Sequence, residues 1–342
     1  MQPFLKSIVV LFFAAIITVS CHDNGKIETK YQAAIDSIAI SNPEIRKITD
    51  QININPLDAE LFFARGNSFY QLHELVLAAS DLHHAIELDS TKTAYYLTFA
   101  DVNIDAHFIK VALQYLQKAK KIAPDDINLS FKLAKTYLYL KEYDAAITET
   151  NSILIHDKTN SDAYFLQGMV WKEKSDTTKA LALFRIAADN NPESYNAYMQ
   201  LGLLNMFRNK NLAEKYFMNV LRIDSVKYEG NYALAMLYQQ NNENQKAINV
   251  YKKMIVESPT EIQPIYNVGM IYFNSNNLEE AFKHFNLAIS VSSRSADAFY
   301  MRALCWEKRN NKTQALKDLE AALKLRPDFR EALDAYSKLK SA

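Results

Sequence analysis

The sequence predicts an all-α fold, a solenoid of eight helix-turn-helix repeats with a capping helix at each end. Three observations carry that prediction. Glycine and proline number only 6 and 8 in 342 residues, about 4% together against an average usage of roughly 12%, too few breakers for a many-turned all-β chain. Small residues return at a fixed point of a 34-residue period from Ala59 onward. Between them, apolar residues follow i, i+4, i+7 spacing, the stripe of an amphipathic helix. A hydrophobic content of 49% argues against disorder. The 39 Lys plus Arg balance 39 Asp plus Glu without a long basic block, so nucleic acid is excluded as a partner. Two cysteines exclude a disulfide framework.

In chain order, residues 1–20 read as a signal peptide. Lys6 precedes a twelve-residue apolar run, Ile8 to Val19. At 1.5 Å per residue that run rises about 18 Å, short of a ~30 Å hydrocarbon core. Thr18-Val19-Ser20-Cys21 resembles the lipobox of bacterial lipoproteins. That resemblance implies cleavage before Cys21 and lipidation of its thiol. Thr18 departs from the leucine the pattern prefers. His22 rather than aspartate follows the cysteine, which points to the outer rather than the inner membrane. Residues 21–42 are expected to form a lipidated tether, with a helix over Tyr31–Ile40.

Residues 43–58 form the N-terminal cap. Asn42 supplies an N-cap and Pro43 stands at the first helical position, where its missing N–H costs nothing. Ile45, Ile48 and Ile52 share one face. The segment reads as the lone second helix of a degenerate unit. Eight units then fill residues 59–329, starting at Ala59, Thr93, Ile127, Ser161, Tyr195, Tyr228, Ile262 and Ala296; the fifth is one residue short. Position 8 is Gly66, Ala100, Ala134, Gly168, Gly202, Ala235, Gly269 and Ala303, small enough for close helix approach. Position 20 is alanine throughout, from Ala78 to Ala315. Position 24 is bulky except at Thr150. Pro124, Pro192, Pro259 and Pro327 close alternate units and end the second helix. Residues 330–342 form the C-terminal cap, with Ala332, Leu333 and Tyr336 on one side.

Small at 8, aromatic near 11, alanine at 20, bulky at 24 and proline at 32 resembles the tetratricopeptide repeat. The resemblance implies a right-handed superhelix whose first helices line a concave surface with positions 2, 5, 9 and 12. In units four to eight, positions 5 and 9 are Phe165, Met169, Met199, Leu203, Tyr232, Met236, Tyr266, Met270, Tyr300 and Leu304. This stripe is the candidate groove for a protein or peptide partner, since methionine and aromatic surfaces suit segment recognition. A superhelix wound tightly enough to pack the stripe on itself is the other reading. Position 9 of units one to three is polar: Asn67, Asp101 and Lys135.

No phosphate loop, nucleophile elbow or zinc-protease motif occurs, so no enzyme activity, cofactor or metal is expected. His73 and His107 fall at position 15, the turn between helices, which spacing places facing away from the groove. Cys305 falls at a core position. The expected function is a membrane-anchored scaffold or adaptor that holds an envelope protein or peptide segment. The alternative is a non-catalytic subunit of a surface polysaccharide capture or envelope assembly system.

Overall fold

The computed structural model describes residues 24–341; the leader over 1–20 and Cys21 lie outside the described residues. Among these, nineteen helices and no strand occur. The chain forms two compact units, one ending at Val170 and one beginning at Trp171.

In the N-terminal unit, α1 (Asn24–Ser41) packs on α2 (Pro43–Ile54). Three helix pairs follow. They are α3 (Ala59–Gln71) with α4 (Leu75–Leu88), α5 (Thr93–Asp105) with α6 (Ile109–Ile122), and α7 (Ile127–Tyr139) with α8 (Tyr143–His156). The unit boundary lies inside α9 (Ser161–Glu173).

Two expectations are corrected at this end. Residues 21–42 are not simply a tether, because α1 begins at Asn24 and its Ile35 and Ala39 are buried. The Tyr31 hydroxyl donates to the Leu77 carbonyl at 2.9 Å. Nor is α2 a lone helix; it pairs with α1. Its start follows the capping reading, with the Asn42 side chain accepting from the Glu44 and Ile45 amides and Ile45, Ile48 and Ile52 buried. Below α2, Arg65 forms a bidentate pair with Asp81 at 2.7 and 2.9 Å, and its remaining nitrogen reaches Thr49 at 3.3 Å. Both charged side chains are buried.

The C-terminal unit contains α10 (Thr177–Asn190), α11 (Tyr195–Asn205), α12 (Lys210–Ile223), α13 (Tyr228–Gln240), α14 (Asn244–Glu257), α15 (Ile262–Asn274), α16 (Leu278–Val291), α17 (Ala296–Lys308), α18 (Lys312–Leu325) and the capping α19 (Arg330–Ser341). Small residues bring the helices of a pair together, as spacing required. A Cβ at Gly269 would stand 2.7 Å from Phe285, and one at Gly202 only 2.4 Å from Phe217. The ion pair of the first unit recurs in the eighth. Arg302 grips Asp318 at 2.7 and 2.8 Å and reaches Asn286 at 2.6 Å.

The turns inside the units have one design. His73, His107, Lys141, Ser175, Asn242, Asn276 and Asn310, all at position 15, have φ between 56° and 64°. The left-handed residue lets the next amide reach back to an orphan carbonyl near the helix end. Glu74 N donates to Phe69 O at 2.9 Å and Phe108 N to Asn103 O at 2.7 Å, the pattern of a Schellman motif. The fifth unit breaks the rule. Its first helix, α11, has 11 residues where the other seven have 13. Asn209 closes the turn by donating to Asn205 O at 2.8 Å, and no residue there turns left-handed. The missing residue of the short unit is the one that elsewhere carries the bend.

Candidate functional site

Helices α11, α13, α15 and α17 carry Met199, Leu203, Tyr232, Met236, Tyr266, Met270, Tyr300 and Leu304. Leu203 and Met236 are 38% and 42% exposed, and the other six are half-buried. The six half-buried side chains each have one side against the core and one side exposed. Met199 and Tyr232 lean on the cluster around Phe217, Leu234 and Tyr251. Tyr266, Met270, Tyr300 and Leu304 lean on Ala281, Phe285, Met301 and Cys305. Phe165 and Met169, on α9 in the N-terminal unit, are also half-buried.

The floor around Tyr232 is fixed by hydrogen bonds. Asn267 Nδ2 donates to the Tyr232 and Tyr251 hydroxyls, both at 3.1 Å, and the Tyr251 hydroxyl donates to Gln239 at 3.1 Å. Tyr228 stacks on Tyr232 with centroids 5.6 Å apart. Burial, reinforced by Tyr232, Glu261 and Glu229, pushes the Tyr228 phenol up to about 12. Burial likewise pushes Tyr266 up to about 12, with Asp297 adding to it. These phenols are neutral hydrogen-bonding groups in ordinary buffers, and the carboxylates give the edge an acidic character. Farther along, Tyr300 packs on Phe329 with centroids 5.0 Å apart.

Sequence reasoning missed one part of this face. A cavity of about 570 Å³ is lined by Met206, Phe207, Tyr232, Met236, Gln239, Gln240, Asn242 and Asn267. Phe207, in the irregular turn of the fifth unit, is 80% exposed. The one-residue deletion was the available signal.

The N-terminal unit holds a second concavity, of about 780 Å³. His73 and His107 both line it, together with Asp101 and Lys135 from the concave positions of α5 and α7. The expectation that position 15 faces away from the groove residues is thus corrected. A helical wheel does not extend to a left-handed residue. Among the described residues, no three or more His, Cys, Asp or Glu side chains group to hold a metal, and no helix is long and apolar enough to cross a membrane. Cys305 is buried, and its thiol is pushed by that burial up to about 11.

Repeated helix pairs with a small-residue contact, a fixed turn and a half-open face on the first helices define a helical repeat protein. Tetratricopeptide-repeat profiles match residues 131–194, 172–216 and 266–328, and a further one matches 228–255, together just over half of the chain. The chain belongs to the tetratricopeptide-repeat family. It is 26% identical over 164 residues to the BBSome complex member BBS4 of Bos taurus, covering 46% of this chain and 30% of that protein. It is 24% identical over 230 residues to the TPR repeat-containing protein MJ1428 of Methanocaldococcus jannaschii, covering 66% and 35%. The chain thus spans about a third of the length of these relatives. The C-terminal part of a TPR repeat-containing protein from Cytophaga hutchinsonii superposes with a TM-score of 0.59 at 18% identity, over 70% of this chain and 98% of that one. That likeness concerns the fold.

Proposed function

We infer that the protein is a non-catalytic scaffold that holds a segment of another protein against the first helices of units five to eight. The observation that carries this reading is the half-buried stripe from Met199 to Leu304, anchored behind and free in front. Such a surface gives a partner apolar area without ordering cost on the protein's side. Methionines adapt to the ligand's shape while tyrosines hold their place. Glu229 and Glu261 beside Tyr228 favour a segment that adds a basic residue to its apolar ones. A relative described as a complex member suits the same role.

The residues of the leader supply the location. Cleavage after Ser20 and lipidation of Cys21 anchor the chain in a bacterial envelope membrane, the outer one by the His22 signal, and two or more acyl chains make that anchoring stable. The α1–α2 pair covers the N-terminal end of the eight units and α19 the C-terminal end. Met236→Glu with Met270→Glu places two charges on the stripe and is expected to abolish partner capture while helicity is kept. Retention of every partner by a folded double variant would refute the reading. Radiolabelled palmitate incorporated by the parent and absent from Cys21→Ala tests the anchor; equal labelling of both would refute it.

A further inference from the structure

We propose that the cavity beside Phe207 decides which segment the groove accepts, by taking a tyrosine side chain of the partner. This rests on the stripe of units five to eight being the partner surface and adds the residue the partner presents there. The cavity belongs to the fifth unit alone. In the other units position 13 ends the first helix, and in six of those seven it is polar: Gln71, Asp105, Glu173, Gln240, Asn274 and Lys308. In the fifth unit it is Phe207, in the turn that has no left-handed residue. At 80% exposure this ring adds little apolar burial to its own fold. Its neighbour Met206 is buried in the cluster of Phe217 and Tyr251, which fixes the turn that presents the ring. The volume of about 570 Å³ lies within the ~300–1,000 Å³ typical of ligand pockets. Tyr232 and Met236 belong both to the stripe and to the lining, so the cavity is continuous with the groove.

The lining selects by its chemistry. Phe207, Met206 and Met236 offer a ring and two thioethers, and both kinds of group favour an aromatic occupant. None of the lining residues is an acid, a lysine, an arginine or a histidine. A charged group entering the cavity would lose its water and find no counter-charge, so the occupant is neutral. The polar groups are amides and one phenol. Asn267 uses its Nδ2 on the Tyr232 and Tyr251 hydroxyls, and Gln239 Oε1 accepts from Tyr251. Asn267 Oδ1 and Gln239 Nε2 bond nothing else among the described residues, and Gln240 and Asn242 are exposed. The cavity therefore has both an acceptor and a donor free. A hydroxyl can meet both, whereas an indole only donates and a phenyl ring does neither. Tyrosine joins the neutral ring to the hydroxyl.

The test selects a random dodecapeptide library on the full chain and on Phe207→Ala in parallel, both checked for helicity. Peptides retained by the parent and lost by the variant are expected to be enriched in tyrosine. By fluorescence anisotropy, a labelled peptide of that set should bind Phe207→Ala at least tenfold more weakly. Phe207→Tyr, which keeps the ring, should bind it within threefold of the parent. Replacing the peptide's tyrosine by phenylalanine should weaken binding to the parent several-fold, which separates the hydroxyl from the ring. Met270→Glu lies on the stripe outside the cavity and should weaken all selected peptides, whether or not they carry tyrosine. Selection without tyrosine enrichment, affinity for Phe207→Ala within twofold of the parent, or equal binding of the phenylalanine peptide would overturn the proposal while the loss in Met270→Glu still marks the groove. Peptides that bind Met270→Glu as tightly as the parent would overturn the groove and its subsite together.

Discussion

Replacing Gly202 by alanine tests the packing logic at its tightest point. The new Cβ would stand 2.4, 2.7 and 2.9 Å from Phe217 Cε1, Cδ1 and Cζ. Carbon atoms rest at about 3.5–4.0 Å, so the ring must retreat by about 1 Å. Phe217 is fully buried with Ala213, Ala233 and Ala235 in the same cluster, and a ring so enclosed moves only with its helix. Overpacking of this kind costs ~1–3 kcal/mol, while alanine gains ~1 kcal/mol over glycine in a helix interior. At a separation of 2.4 Å the overpacking falls at the upper end of that range, ~2–3 kcal/mol, so the net expectation is a loss of ~1–2 kcal/mol. Gly66→Ala meets Leu82 Cγ at 2.9 Å and the Ala78 carbonyl at 3.3 Å, a smaller overlap, and should cost less than Gly202→Ala. Adding Phe217→Leu to Gly202→Ala recreates the alanine–leucine combination of Ala303 and Leu319, which share a core cluster. The double-mutant cycle should then show a favourable coupling of ~1 kcal/mol or more. Urea unfolding followed by far-UV circular dichroism measures the four proteins of the cycle and Gly66→Ala. Gly202→Ala at or above parental stability, or a coupling near zero, would refute the reasoning.

Three further predictions concern the rest of the molecule. Arg65→Leu leaves Asp81 buried and unpaired and should cost ~3–5 kcal/mol, whereas Arg65→Met with Asp81→Leu should be close to neutral; equal losses in urea titrations of the two would contradict this. Lys141→Gly relieves a side chain at φ 62° and should raise stability by ~0.5–1 kcal/mol, the left-handed penalty less glycine's unfolded-state entropy; a lower melting temperature would count against the turn assignment. Alkaline pH should weaken the fold. Burial raises the Cys305 thiol to about 11 and the Tyr266 phenol to about 12, so the folded chain keeps protons that the unfolded chain releases above about 8.5 and 10. Urea midpoints should therefore fall as pH rises through that window, and Cys305→Ala should remove the thiol's share; a midpoint flat to pH 11 would refute it.

The helix pairs were legible because each has two apolar stripes in fixed phase and a small residue where they cross. Gly202 and Ala303 announce contacts that Phe217 and Leu319 complete. The N-terminal helix was less legible. Over residues 31–41 its packing rests on Tyr31, Ile35, Ile38 and Ala39, too short a stripe to mark the whole helix in the sequence. Position 15 hid its role because no glycine marks the left-handed turns; His73 and Lys141 accept a conformation that spacing does not reveal. The cavity that His73 and His107 share depends on that bend, not on helical phase. The groove residues were legible as a stripe, but the hydrogen-bonded floor of Asn267, Tyr251 and Gln239 joins separate helices at no regular interval. The missing residue of the fifth unit could be counted, yet only the fold shows that it thrusts Phe207 outward.

The central claim is that the stripe on units five to eight holds a protein segment. Photo-crosslinking amino acids placed singly at 199, 236 and 270, with a control at the exposed Val256 of α14, followed by mass spectrometry of in-cell adducts, test it most directly. The account predicts one shared protein partner crosslinked from all three groove positions and not from Val256. Adducts that are absent, that consist of glycan, or that form equally from Val256 would contradict it.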